Sequence, residues 1–404
     1  MLINILPFIA YFTLLISSCD ATKNYILTPK KHENLLIKPA VFAEMAYVHD
    51  LKELVSFEHT DDHFVVFYET SHDNLIKNKK ALENYFDIEE DKVMSINNVE
   101  SNSVMNNFQM VYKDSSAIPW HLNRVSKRTL SDEDNFAYDK PGSCHKDNST
   151  LIDTYIVDTG IDISHPEFEN RAVWSANFAD NVDTDCNSHG THVAGLVGSK
   201  SYGVCVDAKL HAVKVLSCDG SGSLSGVIRG IEWVFNEHKR KSRNESRRVK
   251  SVINMSLGGG FSSAINKAVE TVANNDENFY VVVAAGNENN DACNTSPASA
   301  PSVLTVMASD EYDNKAWFSN WGRCADIYSP GVDVLSTIPN GKTAKYSGTS
   351  MASPVMVGVL NHYLDMYPKM NMKDIKKLVK KKATKNAIRG NKNGSNNLLA
   401  YFEH

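Results

Sequence analysis

Three short motifs carry groups able to do chemistry, and they follow one another in a fixed order. They are Val157-Asp158-Thr159-Gly160, His189-Gly190-Thr191-His192 and Gly348-Thr349-Ser350-Met351-Ala352-Ser353-Pro354. An aliphatic run ending in Asp158 sets a carboxylate at a strand end, where it can orient an imidazole and stabilise the imidazolium formed as a proton moves. His189 is the matching general base. Ser350 follows a glycine and precedes a small, apolar helical pattern, which predicts a hydroxyl at a helix N-terminus, open to substrate and near backbone amides. The chemistry of such a set is acyl transfer through a serine nucleophile, with Asp158, His189 and Ser350 as the triad. Each motif alone is weak. Asp-Thr-Gly also marks aspartic peptidases, but those need two such carboxylates, and no second Asp-Thr-Gly or Asp-Ser-Gly occurs. His192 lies three residues after His189 with no glutamate between, which favours packing beside the base over metal ligation. Asp162 and His165 read as turn residues.

The elements that must position these groups follow from texture. Beyond residue 150, short apolar runs end in Gly, Ser or Asn and alternate with helical patterns: Tyr155 to Val157, Leu210 to Val215, Val252 to Met255, Tyr280 to Ala284 and Val303 to Val306. Strands alternating with helices predict an α/β fold with a mainly parallel sheet covered on both faces, whose active site lies at the carboxyl ends of the strands. Residues from about 20 to 115 are rich in Lys, Asn, Asp and Glu. They still hold a buried strand at Phe64–Tyr68, a helix near Asn78 to Phe86 and strands at Val93 to Val99 and Phe108 to Tyr112, which suggests a small α+β unit without catalytic groups. The basic run from Asn236 to Lys250 reads as a solvated loop and Met372 to Lys385 as a surface helix.

Composition sets outer bounds. The 404 residues, 42% apolar and 22% charged, suffice for one large domain and a smaller one. A net charge of −6 without zinc-finger or RNA-binding signatures gives no support for a nucleic-acid partner. Leu2 to Ile16 is apolar and uncharged and runs into Ser17, Ser18 and Cys19, so residues 1–19 read as a signal peptide; no later run reaches the length of a membrane span. Export makes disulfides plausible for Cys144, Cys186, Cys205, Cys218, Cys293 and Cys324, and without a CxxC pair zinc or redox chemistry has little support. Sequons stand at Asn148, Asn244, Asn294 and Asn393; a fifth begins at Asn254, next to a pocket wall, and is expected to be buried.

The three motifs in the order Asp, His, Ser resemble the subtilases, and subtilisin is a standard illustration of that order. The similarity continues through Gly220-Ser221-Gly222, Asn254-Met255-Ser256-Leu257-Gly258-Gly259, Ala284-Ala285-Gly286-Asn287 and Ser296-Pro297-Ala298-Ser299. It resembles most the proteinase K and cerevisin branch, as does the end Asn397-Leu398-Leu399-Ala400-Tyr401. The resemblance implies a subtilisin-like three-layer fold over residues 116–404 and an inhibitory, folding-assisting propeptide over 20–115. Processing is expected between Lys113 and Pro119, ahead of Trp120-His121-Leu122-Asn123-Arg124-Val125.

By the same resemblance Asn287 supplies a side-chain oxyanion donor, and Ser256, Leu257 and Gly258 with Ala284, Ala285 and Gly286 wall the pocket for the residue before the scissile bond. That pocket is roomy and apolar, which predicts cleavage after large apolar or aromatic residues. Gly220, Ser221 and Gly222 form an edge strand that pairs with extended substrate, and Leu224 lines a more distant pocket. The resemblance also implies disulfides Cys186–Cys218 and Cys293–Cys324, each closing a loop of about 30 residues and worth roughly 3–4 kcal/mol in the chain-entropy model. It leaves Cys144 and Cys205 open. The carbonyls of Pro301 and Val303 with Asp326 match a structural calcium site, the alternative being a purely structural Asp326; no cofactor is expected for catalysis. Two departures stand out: Pro354-Val355-Met356-Val357 where Pro-His-Val-Ala is usual, and Ser188 instead of glycine before His189. The expected protein is a self-processed serine endopeptidase zymogen, monomeric, in the secretory pathway and destined for secretion or a vacuole- or lysosome-like compartment. It acts on proteins and peptides and is held by its own propeptide. The rival from another class is a silent binding protein on the same fold.

Overall fold

The computed structural model describes residues 23–30, 39–58, 64–96, 118–130, 144 and 150–403. The signal-like segment and the expected strand at Phe108–Tyr112 lie outside them. The chain divides into two compact units, Met1–Lys92 and Val93–His404.

The first unit comprises β1 (Asn24–Pro29), α1 (Pro39–Val48), β2 (Lys52–Glu58), β3 (Phe64–Ser71), α2 (His72–Leu82) and β4 (Phe86–Glu90). Its strands form an antiparallel sheet in the order β2-β3-β1-β4. Leu27, Tyr68, Leu75, Leu82 and Phe86 fill its core. The expected helix at Asn78–Phe86 begins six residues earlier because Ser71 caps it, its Oγ accepting from Asn74 N–H. Phe86 belongs to the following strand.

The second unit holds β5 (Val93–Ile96), α3 (Trp120–Val125), β6 (Thr150–Asp158), β7 (Ala172–Asn177), α4 (His189–Gly198), β8 (Lys209–Lys214), β9 (Ser221–Ser223) and α5 (Leu224–Asn244). There follow β10 (Arg248–Met255), β11 (Leu257–Gly260), α6 (Ser263–Asn275), β12 (Phe279–Ala284), β13 (Thr295–Ser296), β14 (Leu304–Ser309), β15 (Ile327–Pro330), β16 (Val334–Ile338) and β17 (Lys342–Tyr346). The unit ends with α7 (Thr349–Met366), α8 (Met372–Lys382), β18 (Thr384–Lys385) and β19 (Leu398–Leu399). Nine strands make the central sheet in the order β18-β19-β15-β14-β12-β10-β6-β8-β7, parallel except for the β18–β19 pair. β6 and β12 are buried along their whole length; β12 reads as a continuous apolar run, whereas β6 carries its run at Tyr155–Val157 between the buried Asp153, Thr154 and Asp158. The helices α4 and α7 pack together over the central strands, and α5 and α6 form a second such pair. This is the α/β architecture the strand–helix alternation predicts.

The basic run is not a loop. Residues up to Asn244 extend α5, whose Val234, Phe235 and His238 are buried, and Arg248–Lys250 opens β10. The charges conceal the helical period because they occupy the opposite face and the last turn, where lysine and arginine complement the helix dipole. Lys241 forms an ion pair of 2.8 Å with Asp153, and the buried Lys250 donates to the Leu364 carbonyl. The short α3 belongs firmly to this unit. Arg124 makes a buried bidentate pair with Asp313, and Val125 O accepts from Phe402 N–H. Among the described residues no helix is long and apolar enough to cross a membrane.

Candidate active site

Asp158 ends β6, His189 opens α4 and Ser350 is the second residue of α7. Asp158 lies at the carboxyl end of the parallel strand β6, while α7 with Ser350 follows β17 of the separate β16–β17 hairpin. Asp158 is fully buried, and its Oδ1 accepts from His189 Nδ1–H at 2.8 Å and from Thr159 N–H at 2.7 Å. The two elements meet because neither carries a side chain at the crossing. A β-carbon on Gly190 would lie 2.1 Å from the Gly160 carbonyl oxygen.

The Asp185 carboxylate then fixes the first turn of α4. Its Oδ1 accepts from Thr159 Oγ1, Asn187 N–H and Ser188 N–H, and its Oδ2 from Thr191 N–H and Oγ1, at 2.6–3.0 Å. This role was not read from the sequence, although an aspartate four residues before the motif histidine is the available signal. Ser188 itself sits at φ 88°, a left-handed conformation that serine holds at a cost. His192 is buried, donates Nε2–H to Ala344 O at 3.0 Å and stacks on Tyr346. Burial pushes its pKa down to about 3, so it stays neutral beside His189. The ammonium of Lys214, at the end of β8, donates to the Thr159 and Leu216 carbonyls and braces the turn after Asp158.

Ser350 lies where Pro354 changes the helix. Proline has no N–H, so the Ser350 carbonyl lacks its usual partner four residues on. Ser256 Oγ donates to it at 2.9 Å, and Ser350 Oγ in turn donates to Ser256 O at 3.0 Å. Asn254 Nδ2 donates to Ser256 Oγ while Asn254 Oδ1 accepts from Ser353 Oγ, so four buried residues lock α7 to the β10–β11 junction. The Asn254 sequon is accordingly buried. The Ser350 hydroxyl thus donates to Ser256 O in this arrangement. Asn287 follows Ala284, Ala285 and Gly286 at the end of β12. Its Oδ1 accepts from Thr349 N–H and Oγ1, which fixes the amide beside the start of α7.

The two segments expected to hold extended substrate already hold a strand. β5 lies between β9 and β11, antiparallel to both: Met94 faces Gly222, Ser95 faces Ser221 and Gly258, and Ile96 faces Leu257. Ile96 N–H donates to Gly220 O at 2.9 Å. Met94 and Ile96 are buried while Val93 between strand and solvent is exposed. The Ile96 side chain covers Gly220, where a β-carbon would lie 2.7 Å from Ile96 Cδ1, and the buried Leu224 starts the helix α5 that packs against β5.

Cys186 is bonded to Cys218 and Cys293 to Cys324. Cys144 and Cys205 are buried thiols, their sulfurs and an Asp207 oxygen within 4.8 Å of one another. The expected calcium ligands do not fit an ion. Pro301 O, Val303 O and Asp326 Oδ2 all contact the ammonium of Lys376, at 3.2, 2.5 and 2.8 Å, and Lys380 lies 2.6 Å from Asp326 Oδ1. Two positive charges on one carboxylate leave no net negative charge for a dication, and three oxygen groups fall short of the six to eight it takes.

Comparison with known proteins agrees with this architecture. Residues 155–401 match the peptidase S8 subtilase family, and the chain belongs to that family. It is 47% identical over 247 residues to subtilisin-like protease 7 of Arthroderma otae, covering 61% of this chain and 58% of that protein. It is 41% identical over 317 residues to the cuticle-degrading protease of Metarhizium anisopliae, covering 78% and 74% respectively. Cerevisin of Saccharomyces cerevisiae is 43% identical over 260 residues, 63% of this chain and 40% of that one. The match thus spans from 40% to 74% of the length of these relatives. The crystal structure of a cold-adapted subtilisin-like serine proteinase superposes with a TM-score of 0.63 at 37% identity, covering 72% of this chain and all of that one.

Proposed function

We propose that the protein is a serine endopeptidase made as a self-processed zymogen. Ser350 attacks the scissile carbonyl, His189 takes the proton and returns it to the leaving amine, and Asp158 holds the imidazole. The Ser350 N–H and the Asn287 amide steady the oxyanion, one such donor being worth about 10²–10³ in turnover. The observation that carries the reading is the Asp158–His189 hydrogen bond of 2.8 Å at the mouth of a cleft whose two edges, β9 and β11, bind a strand of the chain itself. β5 supports the propeptide as intramolecular inhibitor. It also suggests that the cleft takes apolar side chains such as Met94 and Ile96 at alternate positions of an extended chain, while Ser256–Gly258 and Ala284–Gly286 wall the roomy pocket for the residue before the scissile bond. We assign residues 1–19 to a signal, 20–115 to the propeptide and 116–404 to the enzyme. The substrates are proteins and peptides, and the setting is the secretory pathway.

The test is expression of residues 20–404 as wild type and as Ser350→Ala, with precursor size read by intact mass and activity on a denatured protein. Conversion and activity in the wild type, with the variant remaining full length and inactive, are expected. A folded wild type that cleaves nothing after removal of the propeptide would refute the proposal and favour a silent scaffold.

A further inference from the structure

We propose that the ammonium of Lys376 is the built-in cation of the Pro301–Val303–Asp326 site, so that this joint of the fold holds without a divalent ion. Asp326 is nearly inaccessible, its backbone N–H donates to Thr305 O, and its Oδ2 accepts from Thr305 N–H, which fixes the carboxylate between β14 and the start of β15. The remaining charge is met from one direction, by α8. That helix is anchored by the buried Ile375 and Val379 and capped by Asn371, whose Oδ1 accepts from Asp374 N–H. Lys376 and Lys380 each follow an apolar anchor by one position, and their spacing of four residues carries both ammoniums to the same carboxylate. Lys376 spends its donors on Pro301 O, Val303 O and Asp326 Oδ2; Lys380 takes Asp326 Oδ1. Every oxygen that would meet a metal here is therefore engaged by a covalently tethered cation. Tethering changes the thermodynamics: a lysine arrives with the fold at any calcium concentration, whereas a bound ion stabilises only as RT ln(1 + [L]/Kd).

Full-length chain carrying Ser350→Ala, which removes self-digestion, serves as the reference; Asp326→Asn and Lys376→Met are made in it. Thermal midpoints are measured in excess calcium chloride and in EGTA, and bound calcium per chain is measured after dialysis. Both substitutions are expected to lower the midpoint by several degrees, each by the same amount in the two buffers, with bound calcium equal in the reference and in Asp326→Asn. An Asp326→Asn penalty present only in calcium, one calcium ion fewer in that variant, or a Lys376→Met midpoint unchanged from the reference would each overturn the proposal. Comparing penalties within one buffer cancels any calcium bound elsewhere, and the dialysis measurement holds for variants of low stability.

Discussion

Replacing Asp185 tests how the base is positioned. Its carboxylate is 3% exposed and accepts five hydrogen bonds, from Thr159 Oγ1, Asn187 N–H, Ser188 N–H, Thr191 N–H and Thr191 Oγ1. The two hydroxyls can turn elsewhere, but the three backbone amides cannot. In Asp185→Asn the oxygen facing Asn187 and Ser188 is retained and the new NH₂ faces Thr191 N–H, leaving one buried donor unpaired at a cost of about 1–3 kcal/mol. In Asp185→Ala all three amides lose their acceptor, and the loss rises to about 3–9 kcal/mol, comparable with the whole stability of a domain. Urea unfolding in the Ser350→Ala background measures both. In the active chain, Asp185→Asn is expected to lower kcat, up to the order of 10²-fold for a displacement of about 1 Å, with little change in KM, because on the proposed function substrate would pair with β9 and β11 and not with α4. An Asp185→Asn enzyme with unaltered midpoint and kcat would refute the argument that this carboxylate sets His189.

Processing makes a second prediction: the precursor is cut between Lys113 and Pro119, and intact mass of the products should show a mature terminus ahead of Trp120. A mature terminus outside that window would contradict that reading. Burial lowers the Lys250 pKa to about 8, so folding penalises its charged form. The penalty is whole below about pH 8, where both states are protonated, and fades toward pH 10.5 as the folded state alone sheds its proton. Lys250→Met in the Ser350→Ala background should thus gain up to about 3 kcal/mol at neutral pH and less near pH 10; a gain independent of pH would count against it. Burial also raises the Cys205 thiol well above its ordinary range. Iodoacetamide should therefore leave Cys144 and Cys205 untouched in the folded chain and modify two thiols in denaturant, and rapid native labelling would refute the burial.

The sheet was legible because parallel strands covered on both faces carry apolar runs, such as the whole of β12 and Tyr155–Val157 of β6. The chemical groups were legible because their motifs combine residue type with a Gly or a strand end. What escaped was set by tertiary contact. The α5 extension hid behind its charged face. Asp185 has no motif of its own and acquires its role only from the five donors the fold gathers round it. The partnership of Pro354 with Ser256 spans distant segments and is invisible in either alone. The calcium expectation rested on three oxygens that are indeed close together, but α8, far along the chain, decides what sits among them.

The seating of β5 has a consequence for how such a protein can change over generations. On the proposed function, the brake and the substrate would be read by the same main-chain edges, β9 and β11, which pair with the strand carrying Met94 and Ile96. A substitution that retunes β9 or β11 toward new substrates loosens or tightens the brake at the same moment. Residues 93–96 and the cleft walls are therefore bound to vary together, and a cleft transplanted from a relative into this chain would need its own version of that strand.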